Sequence, residues 1–229
     1  MEWQLRYQWV VICLLECSQS SIHVYICLHS YFLLYSNCLV YLVDSKNREV
    51  GIMGIIETIS TKHLAGCILI SNDLLGVNYH DKVYFEKSIQ QKQGIVFMLE
   101  TKVVGFLIFN VTSPDCSNKM YGLDLNESVG HIGAVCVATS YQRKGFASHL
   151  IQKAISILER EFSSIYLLAW KYNSIVNLEK ILTKYEFNKV NHLHSAWKEK
   201  CEKNAFNCPV KEKICICTGI VYKLDLNKN

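Results

Sequence analysis

Proline is almost missing from this chain of 229 residues: only Pro114 and Pro209 occur. That excludes a Pro-rich linker or a polyproline recognition segment. Residues 1–50 also lack glycine and alanine and are crowded with Tyr, Leu, Ile, Ser and Cys, whereas composition from Met53 onward is that of an ordinary globular chain. Charge is scarce too, with 24 Lys and Arg against 20 Asp and Glu, a formal net charge of +4. So small an excess argues against a nucleic-acid binder or a polybasic membrane arm, yet would not repel an anionic ligand. No internal repeat or low-complexity stretch divides the chain.

Cysteine is what the chain has in plenty. Its eleven cysteines are scattered and odd in number, and a chain this long has no need of disulfides for a core, so reduced thiols and a cytoplasmic location are expected. Residues 22–43 are uncharged and long enough to span a bilayer, but His23, His29, Ser30, Ser36 and Asn37 interrupt them at a cost in hydrocarbon. Arg6 is the only basic residue ahead of the first apolar run, and no small-residue cleavage site follows it. Residues 1–52 therefore read as an apolar extension ahead of a second candidate start at Met53. The alternative is a membrane anchor through residues 22–43.

From there hydrophobic periodicity marks alternating elements. Residues 55–69 fit a strand or a helix, and 83–91 an amphipathic helix. Residues 94–99 and 102–110 read as a hairpin, and 130–137 as a further strand behind a polar loop. The clearest helix is 145–162, with Phe146, Leu150, Ile151, Ala154, Ile155 and Leu158 on one face. Residues 165–170 read as a strand, 176–185 as a short helix and 215–226 as a closing strand, so an α/β or α+β layered fold is expected.

The strand containing Val135, Cys136 and Val137 feeds that helix through Gln142-Arg143-Lys144-Gly145-Phe146-Ala147. A helix start offers free N–H groups and partial positive charge, which suit an anion. Gly145 lets backbone approach it, Ala147 leaves room, Arg143 and Lys144 add charge, and the Ser148 hydroxyl can donate a hydrogen bond. Gln142, Gly145 and Ala147 match the Gln or Arg, two residues, Gly, one residue, Gly or Ala pattern of the GNAT acetyltransferases. Over residues 53–190 the chain resembles that superfamily. The resemblance implies an α+β, three-layer α/β/α fold around a mixed, mostly antiparallel sheet, with acetyl-CoA as cosubstrate. It also implies that Val135 to Val137 pair with the pantetheine arm, that the turn holds the pyrophosphate, and that a primary amine attacks the thioester. A module that binds acetyl-CoA without turnover is the competing reading.

His131, in the strand facing the cofactor, is the candidate base. Asp124 and Glu127 could act through water. The family's usual acid, a tyrosine in the helix after the fifth strand, corresponds here to Leu182, which leaves Tyr185 and Tyr172 as substitutes. Cys136 reads as a packing cysteine rather than a nucleophile. The run Val77-Asn78-Tyr79-His80-Asp81-Lys82-Val83-Tyr84 resembles the substrate segment of enzymes acting on protein N-termini, which makes Tyr79 a substrate contact. The acceptor is then a protein N-terminus, a lysine or a small-molecule amine. Residues 191–229 form a cysteine-containing extension ending in a strand. It resembles a tail with Cys-Pro-x-Cys ahead of Cys-x-Cys on some prokaryotic relatives. Lys211 replaces one cysteine of that pattern, so zinc would require Cys201 together with Cys208, Cys215 and Cys217.

Overall fold

The structure is a computed structural model. It describes the backbone of residues 11–12, 22–27, 38–44 and 112, and residues 54–111, 122–123, 127–203, 205–210, 215 and 217–226 in full. The expected loop candidate Asp124 lies outside the described residues.

The strands are β1 (Val11–Ile12), β2 (Ile22–Cys27), β3 (Cys38–Asp44), β4 (Gly54–Thr58), β5 (Gly94–Leu99), β6 (Lys102–Thr112), β7 (Val129–Val137), β8 (Ser164–Tyr172), β9 (Ile175–Val176), β10 (Asn188–Leu193) and β11 (Thr218–Asp225). The helices are α1 (Leu64–Leu74), α2 (Lys82–Gln90), α3 (Phe146–Leu158), α4 (Glu179–Lys184) and α5 (Lys198–Glu202). One mixed sheet runs in the order β1-β2-β3-β4-β5-β6-β7-β8-β11-β10, with β9 against β8. Among the described residues only β7 and β8 pair in parallel; helix α3 makes the crossover between them.

Two cores sandwich the sheet. On one face Cys67 and Ile70 of α1 and Phe85 of α2 pack on Val96 and Phe106. On the other Leu150, Ile151 and Ala154 of α3 and Leu182 of α4 pack on Ile95, Phe97 and Leu107. The result is the expected three-layer α+β fold. The apolar stripe read in residues 145–162 is the buried face of α3, which ends at Leu158.

Residues 55–69 divide into strand β4 and the start of helix α1, whose short apolar face left the choice open. Residues 176–185 begin as β9 before coiling into α4, and β10 is an element the sequence did not announce, because its residues are mostly polar and exposed. The candidate membrane span at residues 22–43 contains strands β2 and β3 where a spanning helix was considered. Among the described residues no helix is long and apolar enough to cross a membrane. The C-terminal segment is integral to the sheet: β11 lies between β8 and β10 and buries Ile220, Val221 and Tyr222. The expected boundary at residue 190 falls inside β10.

One irregularity positions the site. In the β6–β7 ladder Ile108 pairs with Ala134 and Phe109 with Ile132, so Gly133 is the extra residue of a bulge. Strand side chains alternate, so residues 132, 134 and 136 of a regular strand would share one face. Here Ile132 joins the α3 core while Ala134 and Cys136 join the α1 core.

Burial holds His131 and His80 far down, each to about 4, and also lowers His63. All three are buried. Their folded values lie below the unfolded one near 6.5, so the folded state resists a proton that the unfolded chain accepts. Stability is therefore full above about pH 6.5 and falls as pH drops toward 4. Urea titrations at pH 7 and pH 5 should show a loss of about 1–2 kcal/mol for each of His80 and His131. The doubly substituted His80→Gln, His131→Gln chain should lose less over the same interval.

Candidate active site

The parallel pairing of β7 with β8 is brief: Gly130 with Ile165, His131 with Tyr166 and Ile132 with Leu167. Beyond the bulge at Gly133 the strands part, and a cleft of about 890 Å³, counting its open mouth, fills the gap. Gly133, Ala134 and Val135 line one side and Leu168, Ala169 and Trp170 the other. The loop after α1 contributes Tyr79, the approach to α4 contributes Asn177 and Leu178, and the C-terminal segment contributes Trp197, Phe206 and three cysteines.

At the end of β7 the chain makes the turn read from the sequence. A short 3-10 turn, Thr139–Tyr141, leads into Gln142, whose Nε2 donates back to the Val137 carbonyl at 2.9 Å. Arg143 and Gly145 are left-handed, with φ of 62° and 84°. A Cβ at Gly145 would meet only His149, at 3.6 Å, so within the protein the position demands glycine for its conformation rather than its space. The His149 N–H bonds to the Gly145 carbonyl at 3.1 Å, leaving the N–H groups of Phe146, Ala147 and Ser148 without an acceptor inside α3. Phe146 is buried and stacked on Phe97 at 4.4 Å, which anchors this helix start to β5. Lys144 and Lys102 both lie over the Tyr141 ring, at 5.3 and 5.5 Å. A splayed strand edge thus runs from the cleft into a basic, anion-attracting helix start, an arrangement that fits an elongated ligand with an anionic end.

The other candidates are distributed differently. The Ser148 hydroxyl is 3.0 Å from that of Tyr185, which also donates to the Ser148 carbonyl at 3.2 Å. Tyr185 accordingly sits over the first turn of α3, outside the cleft lining. Cys136 is buried in the α1 core, where burial pushes its thiol well above the ordinary range and keeps it protonated. His131 is buried next to Asn110, with Nδ1 2.6 Å from Asn110 Oδ1. It does not line the cleft, but Gly133 does, and a Cβ at Gly133 would lie 3.3 Å from the Tyr84 hydroxyl and 3.7 Å from His131 Cε1. Gly133 thus stands next to both side chains. Tyr84 itself is held well above the usual phenol range, chiefly by burial.

Tyr79 lines the cleft, and its hydroxyl accepts from Trp197 Nε1 at 2.7 Å. The Cys201 thiol is in hydrogen-bond contact with those of Cys208 and Cys215, and Cys217 with that of Cys215; burial first, then these neighbours, push Cys201 up to about 12. These contacts form a chain of thiols. Among the described residues no group of three or more His, Cys, Asp or Glu side chains is arranged to hold a metal ion. The bulge at Gly133, with Tyr84 beside it, and Trp170 in the wall were missed at the level of sequence. The signal for Gly133 was present, because a lone glycine inside a strand pattern marks a bulge or a close approach.

The acetyltransferase (GNAT) family matches residues 65–175, a stretch that holds the turn and the β7 and β8 sides of the cleft but not its C-terminal wall. No curated protein matches the chain in sequence. Several solved structures share its fold. An N-acetyltransferase from Staphylococcus aureus Mu50 is 18% identical with a TM-score of 0.55, over 76% of this chain and 99% of that one. NAA60 from Arabidopsis thaliana, in complex with a bisubstrate analogue, is 14% identical with a TM-score of 0.57, over 77% of this chain and 99% of that one. Ard1 from Thermoplasma volcanium is 15% identical with a TM-score of 0.55, over 76% and 99%. The match in sequence and the shared fold lead to one conclusion: this chain carries an acetyltransferase (GNAT) domain over residues 65–175.

Proposed function

We propose that the protein is an N-acetyltransferase that uses acetyl-CoA and a primary amine. The observation that carries this reading is the early parting of β7 and β8, which leaves a strand edge leading to the left-handed turn at Gly145. Bound acetyl-CoA would supply an acetyl thioester, which the amine nitrogen attacks to give an amide and free CoA thiol.

The turn from Gln142 to Ser148 would hold the pyrophosphate through the N–H groups of Phe146, Ala147 and Ser148, with Arg143 and Lys144 adding charge. Gln142 serves by bracing the turn against Val137 rather than by touching the ligand. The edge of Val135 to Val137 would pair with the pantetheine arm as an added strand does, and an N–H of this stretch would steady the thioester oxygen as charge develops. Proton removal from the amine would run past Gly133, by way of Tyr84 to His131. A histidine pushed down to about 4 is neutral at pH 7, although weak as a base. Tyr185 would act on the cofactor side, by fixing Ser148.

Two measurements test this. Gly145→Val, which cannot adopt a φ of 84° without strain and fills the space beside the helix start, should weaken acetyl-CoA binding at least tenfold by calorimetry while the chain stays folded. Unchanged affinity would sink the assignment of the turn. His131→Gln should lower kcat for thiol release on the order of 100-fold, and Tyr84→Phe on the order of tenfold, with acetyl-CoA affinity retained. The competing module without turnover predicts tight acetyl-CoA binding and no thiol release with any amine or N-terminal peptide.

A further inference from the structure

We propose that the cleft selects acceptors that carry the amine on an uncharged apolar or aromatic group, and that Trp197 sets this selectivity. The proposal rests on the acetyltransferase reading of the same site. Among the described residues lining the cleft there is no Asp, Glu, Lys, Arg or His. Four aromatic rings from separate segments line it: Tyr79 after α1, Trp170 in β8, Trp197 ahead of α5 and Phe206 beyond it.

These rings are fixed to one another. Trp197 Nε1 donates to the Tyr79 hydroxyl at 2.7 Å, and the Phe206 ring meets the Tyr79 ring edge-on at 4.9 Å. The Asn207 N–H donates to the Val77 carbonyl at 2.9 Å, tying the C-terminal segment to the loop that carries Tyr79. That approach is close enough to need Gly76, where a Cβ would fall 2.2 Å from the Asn207 carbonyl oxygen. The wall is therefore preformed, with its polar tips already paired.

A second charge on the acceptor would lose its water here without gaining an ionic partner. An aliphatic or aromatic group would replace water against the rings and gain by burial. The charge beside this wall is positive: Lys200 Nζ lies 4.9 Å from the centre of the Tyr79 ring without lining the cleft. It disfavours a second ammonium further. Two sources share the required chemistry, a small arylalkylamine and a peptide whose first residue is apolar.

The test is thiol release by the full chain at saturating acetyl-CoA. The acceptors are phenethylamine, tetrapeptides beginning with Leu or Phe, tetrapeptides beginning with Asp or Lys, and spermidine. We expect kcat/KM at least tenfold higher for the apolar members, and the faster of phenethylamine and the Leu or Phe peptides identifies the source. Trp197→Ala should raise KM for the apolar acceptors at least tenfold and shrink the preference, whereas Trp197→Phe should restore most of it. Acetyl-CoA affinity, unchanged in both variants, is the check on folding. Equal or faster turnover of spermidine or the charged peptides, or a preference untouched by Trp197→Ala, overturns the proposal. If no amine is acetylated, the transferase reading falls, and the same panel is then read by quenching of tryptophan fluorescence in the presence of CoA. A tenfold binding preference for the apolar members would sustain the selectivity on its own, and its absence would overturn it.

Discussion

Everything in the site depends on three pairs of residues. The β7–β8 ladder begins at Gly130 and Ile165 and is finished by Ile132 and Leu167. Two adjacent parallel strands would ordinarily continue to satisfy each other's backbone groups. Here the bulge at Gly133 shifts the phase of β7, while β6 continues to hold the far edge of that strand through Gly105 and Val137. Strand β8 is held in turn by β11 along the length from Ser164 to Lys171. Each strand is thus secured on its outer side, so the gap between them stays open without costing the sheet its integrity.

The turn below the gap is secured in the same manner, from outside. Two left-handed residues within three positions, one of them not glycine, carry conformational cost. The Gln142 side chain on Val137, the Phe146 ring on Phe97 and the Tyr185 hydroxyl on Ser148 hold that conformation from three directions. None of these three side chains needs to touch a ligand. They leave the helix-start N–H groups unspent, as the binding of an anion there would require.

How far the sequence foretold this varies with the kind of interaction. The stripe of Phe146, Leu150, Ile151 and Ala154 identified α3, and the run from Gln142 to Ala147 identified the turn, because both depend on neighbours along the chain. The hairpin of β5 and β6 was legible for the same reason. Strand β10 was not, since its exposed polar residues carry no alternation and only its pairing with β11 defines it. Nor was the place of β11 inside the sheet, which follows from the match of its register to β8 across some fifty residues of intervening chain. The approach of Tyr84 and His131 to Gly133 brings together residues from β7 and α2 whose meeting no local spacing encodes. His131 was singled out from the sequence, but its tight burial and its Asn110 partner belong to tertiary structure.

The segment beyond β10 does two things at once, and they constrain each other. Strand β11 must pair with β8 along its length to keep the sheet closed on that side. The chain leading to it must first rise over the cleft, dock Asn207 on Val77 and bring Trp197 to Tyr79. A substitution that loosened the wall would leave β11 in register, because Ile220, Val221 and Tyr222 are buried in their own right. The reverse does not hold: the wall begins where the Ala196 N–H donates to the Cys217 carbonyl, just ahead of β11. The wall can therefore change between residues 195 and 210 while the fold and the turn at Gly145 remain intact. That turn allows no such freedom, since its geometry rests on Gly145 and on packing against the central strands.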